Sequence, residues 1–144
     1  RVPTHKGQVS FPGGKKDDTD ISLEHTARRE AYEEIGIHPN DVTILGRMSS
    51  YSTPSGFKIY PFVGLINHHC NIENFIVNIS EDEVEQVIIV PLNHLLDPSN
   101  MKIKPHIRNG IEYLLPYFYY REHVIWGATG LILNEFLKAI KDFI

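Results

Sequence analysis

The sequence predicts an α/β protein, in outline an α/β/α sandwich around a mixed β-sheet. Apolar residues recur at helical spacing in an early segment, residues 22–36, and again in a final segment, residues 128–143. Between these segments lie short runs of β-branched and aromatic residues, separated by glycine and proline turns. A chain of 144 residues can bury one core, so we expect a single domain over residues 1–144.

The first predicted elements surround a glycine pair. Residues 8–11 alternate like a short strand, and Pro12-Gly13-Gly14 ends it with a turn. A helix is expected to begin near Ser22, with Asp20 or Ser22 as its N-cap, and to end at Gly36. Its expected buried stripe recurs every four residues, at Leu23, Ala27, Ala31 and Ile35. Residues 1–5 resemble the interior of a longer chain, and we expect an N-terminal strand to precede them.

The later elements follow from turn residues and apolar runs. Two longer strands are predicted at residues 42–52 and 57–66, joined by the turn Thr53-Pro54-Ser55-Gly56. Next come a short strand at 75–77, an acidic loop or helical turn at 80–86, a buried strand at 87–90 and a short helix at 91–96. Asn109-Gly110 predicts a hairpin between strands 101–108 and 111–119, and residues 124–126 predict another strand before the final helix.

Composition and charge narrow the classes of partner. Hydrophobic residues make up 42% and charged residues 22%, and the net charge of −4 provides no general attraction to nucleic acid or to an anionic membrane. We therefore expect neither a nucleic-acid nor a membrane partner; a homodimer stays open. The single Cys70 excludes an intrachain disulfide and fits a reducing compartment, whether peroxisomal, mitochondrial or cytoplasmic.

Three glutamates on the early helix are the strongest chemical signal. Glu30, Glu33 and Glu34 stand at i, i+3 and i+4, so their carboxylates crowd one helix face. Like charges at this spacing cost about 0.2–0.5 kcal/mol per pair, and a hard divalent cation such as Mg²⁺ or Mn²⁺ would offset that cost. A solvated acidic face is the alternative interpretation. The Gly13-Gly14 turn favours a site, because a glycine loop lets the backbone approach a ligand closely.

Such a combination suits hydrolysis of a phosphoanhydride. The carboxylates would hold cations that grip phosphate oxygens and lower the pKa of a water nucleophile. The same ions would stabilise charge on the leaving group, so no covalent intermediate is needed.

The helix and its preceding loop resemble a known family. Gly14 followed by Arg29-Glu30-Ala31-Tyr32-Glu33-Glu34-Ile35-Gly36-Ile37 resembles the Nudix box of Nudix hydrolases, G-x5-E-x7-R-E-U-x-E-E-x-G-U, where U is a bulky apolar residue. This sequence departs from the box in having Asp20 in place of the first Glu, Arg29 one residue late and the small Ala31 at the first U position.

The departure resembles a subgroup of Nudix enzymes that hydrolyse coenzyme A. Its members carry the lead-in H-x-G-x-V-x-F-P-G-G, seen here at residues 5–14, and the same lengthened box. Segments 53–57, 61–64 and 126–130 are also similar to that subgroup. The resemblance implies hydrolysis of coenzyme A or acyl-CoA to adenosine 3′,5′-bisphosphate and (acyl-)phosphopantetheine. The alternatives are another nucleoside diphosphate derivative, such as ADP-ribose, NADH or a damaged nucleotide, and a Nudix domain that binds a nucleotide without hydrolysing it.

The resemblance also implies roles for individual residues. Glu30 and Glu34 would ligate Mg²⁺ or Mn²⁺ with the Gly14 carbonyl, and Glu33 would be a third ligand or contact a metal-bound water. Arg29 would orient Glu30 through a bidentate pair. Glu83 would be the general base or an extra ligand, with Glu81 and Glu85 as competitors.

Substrate contacts are expected from His5, Gly13, Gly14 and Phe57. His5 lies beside the predicted site, and Phe57 follows a turn where the family shapes its pocket; a surface position is the alternative for His5. Two roles are open for the aromatic run Tyr117-Phe118-Tyr119-Tyr120, stacking on an adenine and packing within the sheet, and packing is favoured. Asp17, Asp18 and Asp20 are expected to cap the helix or to be solvated in the loop. His68-His69-Cys70 is not expected to bind metal, because adjacent loop side chains rarely form a tetrahedral site.

Overall fold

The structure is a computed structural model that describes residues 8–67 and 86–143. Its elements, in chain order, are α1 (Leu23–Ile35), β1 (Val42–Arg47), β2 (Tyr51–Ser52), β3 (Lys58–Ile59), β4 (Phe62–Ile66), α2 (Leu92–Leu96), β5 (Met101–Arg108), β6 (Ile111–Tyr120), β7 (His123–Ile125) and α3 (Gly127–Lys141). Single 3₁₀ turns at Pro39–Asp41 and Pro98–Asn100 precede β1 and β5. The mixture of helices and antiparallel strand pairs confirms the predicted α/β class. None of the described helices is long and apolar enough to cross a membrane.

The described residues form two compact units. The first contains residues 11–50, 58–67 and 86–88, and the second contains residues 8–10, 51–57 and 89–143. The single domain over residues 1–144 stays a prediction.

Helix α1 of the first unit begins and ends where its sequence predicts. The Ser22 hydroxyl accepts a hydrogen bond from the His25 N–H at 3.1 Å, so Ser22 rather than Asp20 is the N-cap. Gly36 takes a left-handed conformation with φ 75°, and its N–H donates to the Tyr32 carbonyl at 3.0 Å. These two local signals fix the bounds of the helix.

The burial of α1 differs from the expected apolar stripe. Leu23, Ala27, Ala31 and Ile35 are only half-buried. The most buried residues of the helix are polar, namely Thr26 at 4% exposure and Glu34 at 3%. Since buried polar groups need hydrogen-bond partners, this face of α1 must be matched by a polar loop.

Strands β1 and β4 form an antiparallel pair in the first unit. The register runs from Val42 opposite Ile66 to Arg47 opposite Phe62, with a bulge at Leu45. Arg28 of α1 donates from Nη1 to the carbonyls of Pro39 at 2.7 Å and Val42 at 2.9 Å, which ties the helix to the start of β1.

Several predicted strands are shorter or absent. The strand expected over residues 42–52 divides into β1 and β2, and the one expected over 57–66 divides into β3 and β4. Residues 8–11 and 87–90 are not in strands, so those two predictions are wrong. Alternation and β-branching measure propensity only, whereas a strand also needs a neighbour to complete its hydrogen bonds. The predictions for residues 75–77 and 80–85 lie outside the described residues.

The second unit is a three-stranded antiparallel sheet covered by α3. Its strand order is β5-β6-β7, with Met101 opposite Phe118 and Arg108 opposite Ile111. The predicted hairpin turn is confirmed, with φ 53° at Asn109 and 77° at Gly110. The core consists of two sheet residues and two α3 residues, Phe118, Ile125, Leu133 and Leu137.

The hairpin turn supports a prediction about backbone strain. A Cβ at Gly110 or at Gly46 would meet no atom within 4 Å, but only Gly110 of the two has a positive φ. Gly110→Ala should therefore destabilise the protein by about 1 kcal/mol, because an L side chain disfavours the left-handed region. Gly46→Ala is the control and should change stability by less than about 0.5 kcal/mol in urea denaturation. Equal effects of the two substitutions would contradict the assignment of strain to Gly110.

Candidate active site

A buried ion pair joins the polar loop to helix α1. Asp20 is 3% exposed, and Arg29 binds it with two nitrogens along one edge of its guanidinium. Arg29 Nε donates to Asp20 Oδ1 at 2.9 Å, and Nη2 donates to Oδ2 at 3.0 Å. Two further donors reach Asp20 Oδ2, the Thr26 hydroxyl at 2.9 Å and the Asp17 N–H at 2.8 Å. The carboxylate thus receives four hydrogen bonds, which is how a charged group is retained at this depth.

These contacts keep both partners charged. The hydrogen bond from Arg29, with smaller contributions from Asp17 and Thr26, holds the pKa of Asp20 far below its usual value, although burial acts in the opposite direction. The hydrogen bonds to Asp20 and Glu33 raise the pKa of Arg29. Asp20 is a site residue that the sequence interpretation missed, since we expected it to cap the helix or to be solvated. Its position six residues after Gly14, where the Nudix box has an acid, was the available signal.

Arg29 contacts further acids with its remaining nitrogen. Nη1 lies 2.9 Å from Glu33 Oε2 but 3.8 Å from Glu30 Oε1. The expectation that Arg29 forms a bidentate pair with Glu30 is therefore wrong; its bidentate partner is Asp20. Asp20 is the buried acid within reach of the fork, whereas Glu30 is adjacent to Arg29 on the helix and Cβ directions there diverge. The role of Glu33 as a third metal ligand stays a prediction.

Glu34 faces the glycine loop. It lies one helical turn after Glu30, and its carboxylate accepts the Gly13 N–H, shared between Oε2 at 3.3 Å and Oε1 at 3.5 Å. This long, shared hydrogen bond connects the glycine loop to the last turn of α1. The structure thus brings Glu34 and Gly13 together, 21 residues apart in sequence.

Gly14 lies directly against Glu30. A Cβ built on Gly14 would overlap the Glu30 carboxylate, whose Cδ would be 2.6 Å away. By contrast, a Cβ on Gly13 would meet no atom within 4 Å. With a larger residue at position 14 the Glu30 carboxylate would have to move, because it occupies the space beside this backbone.

Other predicted residues lie elsewhere or outside the described residues. Phe57 belongs to the second unit, where it follows the confirmed turn and its side chain is 56% exposed. The turn is closed by the Gly56 N–H, which donates to the Thr53 carbonyl at 3.0 Å. His5, the acids Glu81, Glu83 and Glu85, and His68-His69-Cys70 lie outside the described residues, and their roles stay predictions. Arg28 pairs with Glu24 at 3.2 Å, as its spacing predicts.

The donor set by α1 fits a hard divalent cation. Within residues 8–67 and 86–143, no group of three His, Cys, Asp or Glu side chains is arranged to enclose a metal ion. Mg²⁺ does not require such a cage, because it binds through one or two carboxylates and completes its shell with water and substrate phosphate. Glu30 and Glu34 supply two carboxylates one turn apart, and the Glu30 carboxylate lies beside the Gly14 backbone. The oxygen-only donor set is also the type that Mn²⁺ accepts.

Beside this carboxylate cluster, the first unit contains an open groove of about 440 Å³. It is lined by residues from the start of α1 and its flanks, namely Ile21, Ser22, Glu24, His25, Arg28, Arg29, Tyr32 and Pro39. Arg29 is the one residue that the groove shares with the site described above, so the groove is not the candidate metal site.

An acidic helix face next to a glycine loop and an arginine suits metal-assisted hydrolysis of a phosphoanhydride. The family model of the NUDIX domain matches residues 1–111 of this chain. The chain belongs to the Nudix family and is a pyrophosphohydrolase.

Relatives named uncharacterized Nudix hydrolase NudL support the membership. The protein from Photorhabdus laumondii is 31% identical over 96% of this chain and 71% of its own length. The protein from Yersinia enterocolitica is 35% identical over 94% of this chain and 67% of its own length. The protein from Citrobacter koseri is likewise 35% identical, over 94% of this chain and 68% of its own length.

The ion pair predicts how stability depends on pH. Because the folded state lowers the pKa of Asp20 below the ordinary 3.8, the charged pair stabilises the fold fully above about pH 4 and loses this effect as the pH falls further. Asp20→Asn should lower the Tm at pH 7 and make the loss of stability between about pH 4 and pH 2 shallower than in the wild type. Thermal melts across this pH range measure both effects.

Asp18→Asn is the matched control, since Asp18 is an exposed carboxylate in the same loop. This substitution should change neither the Tm at pH 7 nor the loss of stability between about pH 4 and pH 2. If Asp20→Asn kept the wild-type slope below pH 4, Asp20 would not be the titrating group.

Proposed function

We propose that the protein hydrolyses coenzyme A or an acyl-CoA to adenosine 3′,5′-bisphosphate and (acyl-)phosphopantetheine. The observation that carries the proposal is the placement of Glu30 and Glu34 against the Gly13-Gly14 backbone. An acidic face next to backbone amides and carbonyls suits a ligand that presents phosphate oxygens through a cation.

Each residue of the site has a distinct role in this proposal. Glu30, Glu34 and the Gly14 carbonyl would hold Mg²⁺ or Mn²⁺, and the bound cation supplies charge neutralisation for the diphosphate and a more acidic water. Gly13 orients Glu34 through its N–H. Arg29 neutralises Asp20 and Glu33, which limits repulsion within the acidic cluster. Glu83 is our candidate for the base that removes a proton from the attacking water.

The reaction adds one water across the P–O–P bridge. The water oxygen forms a bond to one phosphorus, the bridging P–O bond breaks, and the released phosphate keeps the bridging oxygen. The base takes one proton from the water and releases it to solvent, so no side chain remains modified at the end of the cycle.

Coenzyme A is favoured by the segments that lead into the site. Ser10-Phe11-Pro12-Gly13-Gly14 and the longer spacing between Gly14 and Arg29 are the features that resemble the coenzyme A subgroup. With this longer spacing, Asp20 and Arg29 form two hydrogen bonds.

A substrate panel tests this proposal. Purified protein with Mg²⁺ should convert coenzyme A to phosphopantetheine and adenosine 3′,5′-bisphosphate, and should cleave ADP-ribose and NADH at least about tenfold less efficiently in kcat/KM. Chromatography of the products measures the cleavage of each substrate. Cleavage of ADP-ribose or NADH without cleavage of coenzyme A would exclude the proposed substrate but leave the pyrophosphohydrolase chemistry intact.

The role of Glu34 is tested by an isosteric change. Glu34→Gln retains an acceptor for the Gly13 N–H but removes the charge, so kcat should fall by roughly 100-fold or more while the Tm changes little. Glu24→Gln is the control, because Glu24 lies on the same helix and pairs with Arg28 at 3.2 Å. Full activity of Glu34→Gln would overturn the metal-binding role of Glu34.

A further inference from the structure

One face of the sheet in the second unit is both basic and aromatic. Side chains alternate between faces along a strand, and the register sets Lys102 opposite Tyr117, so Lys102, Lys104, Tyr117 and Tyr119 share a face. Met101 and Phe118 point to the other face, where Phe118 joins the core beneath α3. With Trp126, which stacks on Tyr117, these four residues form what we call the basic aromatic face.

The lysines of this face lie over its rings. Lys104 Nζ is 5.2 Å from the ring centroid of Tyr117 and 5.5 Å from that of Tyr119. Lys102 Nζ is 5.9 Å from the Tyr119 centroid. Two ammonium groups therefore converge on one tyrosine, although both lysine side chains are exposed. This arrangement concentrates positive charge in a small area.

The aromatic rings form a flat, parallel pair. Tyr117 and Trp126 are stacked with centroids 5.5 Å apart and an interplanar angle of 4°. Both residues are half-buried, so part of each side chain is supported by the protein and part of it reaches solvent. Such supported rings are the usual platform for a planar base.

The charge of this face is opposite to that of the chain. Strands β5, β6 and β7 contain one acidic residue, Glu112. It pairs with Ile107 and therefore lies on the other face of the sheet. The net charge of the whole sequence is −4, so a positive face is a local feature rather than a consequence of composition. The hydrogen bond with Tyr119 raises the pKa of Lys104, and its ammonium stays charged at neutral pH.

We propose that the basic aromatic face binds a nucleotide that carries a phosphomonoester. Lys102 and Lys104 contact its phosphate, and the Tyr117–Trp126 pair stacks its base. Neighbouring ammonium groups recognise phosphate charge and flat rings recognise a base, so the two halves of the face match the two halves of one ligand. The proposal concerns binding alone and holds whichever diphosphate the acidic helix cleaves.

The position of Trp126 provides a direct assay, because it is the single tryptophan of the sequence. Adenosine 3′,5′-bisphosphate is titrated into the full chain in EDTA, which removes divalent cations and prevents turnover. We expect saturable quenching of tryptophan fluorescence. The double variant Lys102→Gln, Lys104→Gln should weaken this binding at least tenfold, whereas Lys138→Gln, Lys141→Gln on α3 removes the same charge and should leave it unchanged.

Parallel titrations separate the alternatives, with the Tm of each variant as a check on folding. Adenosine and inorganic phosphate should each bind at least tenfold more weakly than the bisphosphate. Equal binding by inorganic phosphate would overturn the role of the base, and binding by oligoadenylate alone would overturn a mononucleotide ligand in favour of single-stranded nucleic acid. Absence of quenching, or equal affinity in the two double variants, would overturn the proposal as a whole. A protein that passes this test and fails to cleave coenzyme A would separate the two proposals.

Discussion

The buried ion pair of Asp20 and Arg29 is the contact on which the candidate active site depends. Removing two charges from water is costly, and the attraction offsets that cost only if the remaining hydrogen-bonding capacity is also used. Here Thr26 and the Asp17 N–H complete the shell of Asp20. The pair anchors the loop that follows Gly14 to the middle of α1, and so constrains where the glycine backbone can lie relative to Glu30 and Glu34.

The same arrangement explains how α1 tolerates three neighbouring carboxylates. Each has a different neighbour: Glu33 has Arg29 at 2.9 Å, Glu34 has the Gly13 N–H, and Glu30 lies against Gly14. Their mutual repulsion is therefore reduced before any cation binds. The hydrogen bond from Gly13 also limits the rotamers of Glu34. Ligand binding therefore costs less side-chain entropy at this residue.

The sequence predicted the helix caps and the hairpin turn, but it did not predict which distant segments pair with one another. Ser22, Gly36 and Asn109-Gly110 act within a few residues of themselves, and the helix and hairpin that they predict are confirmed. The strand expected at residues 87–90 depended on a neighbour that no local pattern specifies, and it is absent. Asp20 was missed for the same reason: its importance arises only when the loop folds back onto Arg29, nine residues later.

The box has one more residue between Asp20 and Arg29 than the family pattern, and the two side chains still pair. One residue inserted within α1 would rotate all later side chains by about 100° and separate Arg29 from its partners. Asp20 precedes the first residue of α1, Leu23, so the loop before the helix can take up a change in length without altering the helix itself. Arg29, Glu30, Glu33 and Glu34 keep their relative spacing on one helix, and the short Asp20 side chain accepts hydrogen bonds from Nε and Nη2 of Arg29. Length variation in this loop is thus compatible with an unchanged acidic face.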